Sequence, residues 1–232
     1  MTLTNMPDLN SSLFWIAVLQ IIAIDIMLGG DNAVVIALAA RGLPPLQQRQ
    51  AVLIGSGAAV LLRITLTVVA AKLLTMPYLQ IVGGVLLLYI GVQLLSDQGE
   101  GEGEEKTHGS LLTAIRTILI ADLVMSLDNV IGVAAAAHGS MLLLVLGLAI
   151  SIPMVVFGST MMIRLMERFP VVVTLGAALI GWVGGETMAN DTILAPLMQD
   201  QHWLHQAGPV LGAALVLGLG YWLQKRGQTA AN

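Results

Sequence analysis

The sequence contains no cysteine and few charged residues. Of its 232 residues only 10% are Asp, Glu, Lys or Arg, whereas soluble domains contain about 25%. Without cysteine, the chain can form neither disulfide bonds nor thiolate metal ligands. Its net charge of -4 gives no reason to expect nucleic-acid binding, which needs a basic surface. Hydrophobic residues make up 56% of the chain, and this composition is typical of a membrane protein.

Two kinds of signal are also missing. The first ten residues, MTLTNMPDLN, contain no Lys or Arg, so the basic region of a cleavable signal peptide is absent and we expect the first helix to be retained. Neither G-x-S-x-G nor H-E-x-x-H occurs, and no phosphate-binding glycine loop precedes a Lys. The sequence therefore favours a protein that is not an enzyme.

Long apolar segments run through the chain, and a helix needs about 20 such residues to cross the hydrocarbon core. We predict membrane-spanning helices at 13–40, 51–74, 78–95, 111–137, 141–162, 171–188 and 207–223. Polar and turn-forming segments separate them, including RGLPPLQQRQ and the acidic SDQGEGEGEEKTHGS. The segments lack the alternation of membrane β-strands, so the predicted fold class is an all-α membrane protein with seven transmembrane helices.

The first and fourth segments are two copies of one motif. At an offset of 97 residues, IAIDIMLGGDNAVVIALAARG aligns with LIADLVMSLDNVIGVAAAAHG. Three polar pairs coincide: Asp25 with Asp122, Asp31 with Asp128, and Asn32 with Asn129. At an offset of 93, GGVLLLYIGVQ of the third segment meets GAALIGWVGGE of the sixth. Because each copy has three spans, the second must enter the membrane from the opposite side, as in the inverted repeats of many secondary transporters.

This repeat divides the chain into four parts. We predict a first three-helix repeat at 1–96 and an acidic, flexible linker at 97–110. A second, inverted three-helix repeat follows at 111–189. Residues 190–232 would form an external loop, the seventh helix and a short cytoplasmic tail.

Acidic residues in the middle of apolar segments need an explanation, because an ionised side chain at the bilayer centre costs about 2.5–3.5 kcal/mol on insertion scales. At 100° per residue, Asp25 and Asn32 share one helix face and Asp31 points to the side. The first segment is too long for an upright helix, and we expect it to tilt or to break at Gly29-Gly30. One alternative is that the acids only cap broken helices or pair with Arg63, but two matched D-x5-D-N pairs favour a functional site.

Two such faces, opposed across a pseudo-twofold axis, would gather four carboxylates and two amide oxygens. These are ligands for hard divalent cations. We assign Arg63 a supporting role, in which it neutralises surplus negative charge when no ion is bound. Glu186, near the end of the sixth segment, is either a proton acceptor or outer ligand, or simply a helix end that faces water.

With these residues identified, the chain resembles the TerC family of integral membrane proteins, and in particular its YjbE-like branch of short bacterial members. The resemblance rests on GGDNAVVIA in the first segment, ADLVMSLDNVIGVAA in the fourth and the Arg of LLRITL in the second. It implies a seven-helix fold related to the lysine-exporter superfamily and efflux of manganese or calcium. By the same resemblance the ion ligands are Asp31, Asn32, Asp128 and Asn129, with Asp25 and Asp122 as further acids of the path.

We therefore interpret the chain as a divalent-cation transporter of the bacterial inner membrane that exports manganese by alternating access. No permanently bound cofactor is expected, and the partners are the lipid bilayer and the transported Mn²⁺ or Ca²⁺. A homo-oligomer and a partner in the secretion machinery remain open. The main alternative is a membrane-bound assembly or metalation factor that works with that machinery. An intramembrane aspartyl hydrolase is disfavoured, because an Asn follows the second Asp of each pair and no G-x-G-D context occurs.

The distribution of Lys and Arg predicts the orientation. The loops on one side hold eight of them: Arg41, Arg49, Lys106, Arg116, Arg164, Arg168, Lys225 and Arg226. The other side holds only Lys72. The N-terminus should therefore lie outside the cytoplasm and the C-terminus inside.

Reporter fusions test this orientation. Fusions after residue 105 should read as cytoplasmic and fusions after residue 200 as external, and finding both on one side would contradict the inverted repeat.

Overall fold

The computed structural model describes residues 12–73, 76–96, 110–137, 140–194 and 202–230. In these residues it has α-helices and no β-strand, which confirms the predicted all-α class. The helices are α1 (Ser12–Ala40), α2 (Pro45–Leu73), α3 (Leu79–Ser96), α4 (Leu111–Ala136), α5 (Met141–Arg168), α6 (Val171–Ala189) and α7 (His202–Ala230). By length and apolar character five of them can cross a membrane, and the number rises to seven if α1 and α4, which are bent, each count as one span.

Both helices that carry the repeated motif are bent. The axis of α1 turns by 52° between Phe14–Met27 and Gly29–Ala40, directly beside the predicted break at Gly29-Gly30. The axis of α4 turns by 66° between Leu111–Leu127 and Asn129–Ala136. The second bend was not predicted, because no glycine lies there. The polar residues around it offer the physical reason, since Ser, Asp and Asn side chains compete for backbone hydrogen bonds.

Several helices extend beyond their predicted apolar segments. Helix α2 begins at Pro45 instead of residue 51, since proline at the first helical position lacks only an N–H group that would have no partner anyway. Helix α5 continues to Arg168, and α7 covers 202–230. Hydropathy detects only the apolar middle of a helix, whereas the backbone hydrogen bonds continue through its polar ends. Of the predicted acidic linker at 97–110, residues 97–109 lie outside the described residues, and Ser110 caps the N-terminus of α4.

The helices pack as two groups. In the four-helix group, α1 packs on α5 and α4, while α2 packs on α4 and α5. In the three-helix group, α6 packs between α3 and α7, which also contact each other. Smaller contacts of α3 with α4 and of α1 with α6 join the two groups. The repeated motif therefore lies inside the four-helix group.

A carboxylate that follows α6 caps the N-terminus of α3. Asp191 is buried, and it accepts hydrogen bonds from the backbone N–H groups of Tyr78, Gln80 and Ile81 at 3.1–3.2 Å and of Ile193 at 3.0 Å. Burial alone would raise the pKa of Asp191, but these four N–H groups outweigh it and hold the pKa below its ordinary value. The end of α6 is thus tied to the start of α3.

Backbone contacts between glycines hold α6 against α7. Gly181 and Gly185 of α6 face Gly208 and Gly212 of α7 so closely that a Cβ added to Gly212 would overlap the carbonyl oxygen of Gly181. Such stripes of small residues are the usual means by which membrane helices approach each other.

We expect Gly212→Ala to destabilise the protein by about 1–3 kcal/mol, because the added methyl group must push two backbones apart. Gly218→Ala in the same helix is the control, since a Cβ there meets nothing within 4 Å. Thermal unfolding of the purified variants in detergent measures both. Equal stability of the two variants would show that the close approach of α6 and α7 is not required.

Candidate functional site

A buried arginine joins two acids from the two copies of the motif. Arg63 of α2 donates through Nη1 to Oδ1 of Asp25 on α1, and through Nη2 to Oδ1 of Asp122 on α4 at 2.5 Å. The exposed fractions of Asp25, Arg63 and Asp122 are only 2%, 4% and 5%. Charges at this depth require partners. Asp25 and Asp122 thus each pair with Arg63 through one carboxylate oxygen.

Two neutral side chains also form hydrogen bonds in this cluster. Arg63 Nε donates to Ser126 Oγ at 2.9 Å, and Asn32 Nδ2 donates to Asp122 Oδ1 at 3.0 Å. As the spacing predicts, Asp25 and Asn32 line the same cavity. A Cβ at Gly29 would lie 3.3 Å from Asn32 Nδ2, which is a tight contact, and 3.5 Å from Arg63 Nη1, which is an ordinary one.

Four buried oxygen atoms beside this cluster have no hydrogen-bond partner among the described residues. They are Oδ2 of Asp25, Oδ2 of Asp122, Oδ1 of Asn32 and Oγ of Ser56. A buried polar atom without a partner costs about 1–3 kcal/mol, so four of them together are unusual in a stable protein. Three are acceptors only, and the fourth is a hydroxyl.

All four residues line one small cavity between α1, α2, α4 and α5. It has about 20 Å³ of room for the centre of a water-sized sphere, which is enough for about one water molecule or one dehydrated ion. Arg63 also lines the cavity, and apolar side chains form the rest of the wall: Ile36, Ala59, Val60, Ile152 and Val155. A small ion or molecule bound in the cavity would thus meet mostly oxygen acceptors, in surroundings of low dielectric constant.

Of the remaining predicted ligands, Asp31 and Asn129 are not among the residues that line the cavity. Asp31 is half-buried, accepts the N–H of Asn32 at 2.9 Å and interacts electrostatically with Arg63. Asn129 is half-buried just beyond the bend of α4. Asp128 lies at that bend, and its side chain is outside the described part. Over the described residues, no three acidic or histidine side chains converge, so the four-carboxylate cage is not seen there.

One predicted contributor lies elsewhere, and one residue of the cavity was not predicted. Glu186 is exposed in the last turn of α6 and is not among the residues that line the cavity. Its supporting role stays a prediction, and its position is that of a helix end facing water. Ser56 was missed entirely. It lies in IGSGAAV, an apolar stretch without an acidic neighbour, and no signal in the sequence marks it.

Removing the arginine should destabilise the protein. We expect Arg63→Met to lower stability by about 3–5 kcal/mol, because it leaves two buried carboxylates without a counter-ion. Arg116→Met is the control, since Arg116 is exposed on α4. The measurement is the yield and the melting temperature of purified protein. Adding Asp25→Asn and Asp122→Asn to Arg63→Met should restore stability, and no recovery would show that unpaired charge is not the cause.

Comparisons with known proteins agree with this architecture. The family model for integral membrane proteins of the TerC family matches residues 10–228. The uncharacterized membrane protein YjbE of Bacillus subtilis is 42% identical over 212 residues, which cover 91% of this chain and 97% of YjbE. YkoY, another uncharacterized membrane protein of Bacillus subtilis, is 23% identical over 82% of this chain and 65% of its own length.

A more distant relative is longer. The inner membrane protein YoaE of Escherichia coli is 26% identical over 195 residues, which cover 76% of this chain but only 38% of YoaE. No solved structure matches the chain. The family match spans nearly all of the described residues, including both bent helices. The chain is a multi-pass membrane protein, and it belongs to the TerC family of integral membrane proteins.

Proposed function

We propose that this protein transports a divalent metal cation, manganese in particular, across the bacterial inner membrane. The observation that carries the proposal is the set of buried, unpartnered acceptor oxygens of Asp25, Asn32 and Asp122 around one cavity. A cation satisfies such acceptors without any further protein donor. The ion is cargo, so no permanent cofactor and no enzymatic step are part of the proposal.

The charge of the site suits a divalent ion. With both carboxyl groups ionised, Asp25, Asp122 and Arg63 together carry one net negative charge, since guanidinium stays protonated in proteins. Asp31, which interacts electrostatically with both Arg63 and Asp122, supplies a second. One Mn²⁺ would neutralise the two net negative charges of these four side chains.

The packing of the helices supports two inverted repeats and alternating access. Gly147 of α5 lies against Ile21 of α1, and Gly55 of α2 lies against Ile118 of α4. Ile21 and Ile118 are the residues that align at the offset of 97. Helix α1 of the first repeat therefore contacts α5 of the second repeat in a similar way to that in which α4 of the second repeat contacts α2 of the first. In the proposed arrangement all seven helices span the membrane and the N-terminus lies outside the cytoplasm.

Ligand chemistry and the resemblance together favour manganese. Carboxylate and amide oxygens suit Mn²⁺, Ca²⁺ and Mg²⁺, whereas zinc and copper prefer nitrogen or sulfur ligands. Magnesium demands a tight octahedron and loses its water reluctantly, which a site between bent helices does not favour. The outward direction of transport rests on what the resemblance to the TerC family implies. Glycines at the α1 bend and polar residues at the α4 bend provide places where the helices can change their angle.

Purified protein in sealed vesicles should move Mn²⁺ without any other protein, which separates a transporter from an assembly or metalation factor. Calcium should compete and zinc should not.

Asp31→Asn should reduce the initial rate of Mn²⁺ transport by at least about tenfold, a loss of about 1.4 kcal/mol in binding if affinity alone changes. Glu167→Gln on α5 is the matched control, because Glu167 is exposed and outside the cavity. A normal rate for Asp31→Asn would exclude it as a ligand, and competition by zinc would contradict the hard-oxygen site.

A further inference from the structure

We propose that Ser56 of α2 is a ligand of the transported cation, and that the cation binds the two carboxylates on the oxygens that Arg63 does not use. This inference rests on the proposed function and adds a ligand from a helix without any acid. It also changes the role of Arg63, which stays bound to both aspartates while the ion is present.

The division of the side-chain atoms supports simultaneous binding. Asp25 and Asp122 each give Oδ1 to Arg63 and leave Oδ2 without a donor among the described residues. Asn32 is divided in the same way, because its Nδ2 donates to Asp122 and its Oδ1 has no partner there. A cation can therefore bind the free oxygens without breaking an ion pair. The arginine then serves as a fixed counter-charge that orients the carboxylates.

Ser56 differs from the other buried serines of the neighbouring helices. Serine in a membrane helix can donate to a backbone carbonyl one turn earlier. Ser151 does so to Leu148 at 2.8 Å, and Ser159 to Val155 at 2.7 Å. Ser56 is equally buried, yet its hydroxyl has no partner among the described residues, and it lines the cavity.

With Ser56 the cavity presents two carboxylate oxygens, one amide oxygen and one hydroxyl oxygen. All four are hard ligands of the kind that calcium and manganese accept. They come from three helices, so binding of the ion would couple α1, α2 and α4. Water or further oxygens would complete the six or more ligands of such an ion.

The first test compares the stability of the full-length protein with and without Mn²⁺. Ser56→Ala should melt at the same temperature as the wild type or higher without metal, because it removes a buried hydroxyl that has no partner. Its apparent Kd for Mn²⁺, from the metal-dependent rise in melting temperature, should be about tenfold weaker. Ser151→Ala and Ser159→Ala are matched controls, which each lose an intrahelical hydrogen bond and should keep the wild-type Kd.

A second variant tests the same site by a gain of binding. Since the chain has no cysteine, Ser56→Cys introduces its sole thiol. Sulfur favours soft metals, so Cd²⁺ should bind this variant at least about tenfold more tightly than the wild type. Ser151→Cys should show no such gain. The Cd²⁺ affinity of Ser56→Cys decides whether Ser56 is a ligand if Ser56→Ala does not fold.

The two levels of the proposal fail in different ways. If Mn²⁺ stabilises the wild type but Ser56→Ala keeps its affinity and Ser56→Cys gains none for Cd²⁺, then Ser56 is not a ligand and the proposed function stands. If neither Mn²⁺ nor Ca²⁺ stabilises the wild type, the cavity is not a divalent-cation site. A tenfold loss confined to Ser56→Ala supports both.

Discussion

The guanidinium of Arg63 keeps its charge at any depth in the membrane, and it must therefore find carboxylates there. It finds one on α1 and one on α4, which are 97 residues apart in the sequence. Helix α2, which packs on α4, thereby brings Arg63 within reach of both acids. Ser126 accepts from Arg63 Nε, and Asn32 donates to the Asp122 oxygen that Arg63 also binds.

The ion pairs with Arg63 leave one carboxylate oxygen of each aspartate without a partner among the described residues. Because Arg63 binds one oxygen of each aspartate, the other oxygen remains on the cavity side. Burying those oxygens without donors lowers the stability of the protein, and proteins often retain such costs at functional sites. Structure and proposed function are thus linked by the same two carboxylates.

Sequence patterns predicted the all-α class, the location of each helix and the common face of Asp25 and Asn32, because hydrophobicity and helical period act locally. They also placed the α1 bend beside Gly29, where glycine marks it. They did not find the α4 bend, which has no glycine, or Ser56, whose neighbours are apolar. Whether an arginine or a metal stands between two acids depends on where α2 packs, and no local pattern encodes that position.

The cap that Asp191 provides for α3 has a consequence for biosynthesis. The residues that it joins are 110–113 positions apart, so α3 enters the membrane long before its capping carboxylate has been synthesised. Until α6 follows, the first N–H groups of α3 must bind water or lipid headgroups instead. The first three helices therefore do not reach their final hydrogen bonding as an independent unit, and the protein matures only when its second half has been inserted.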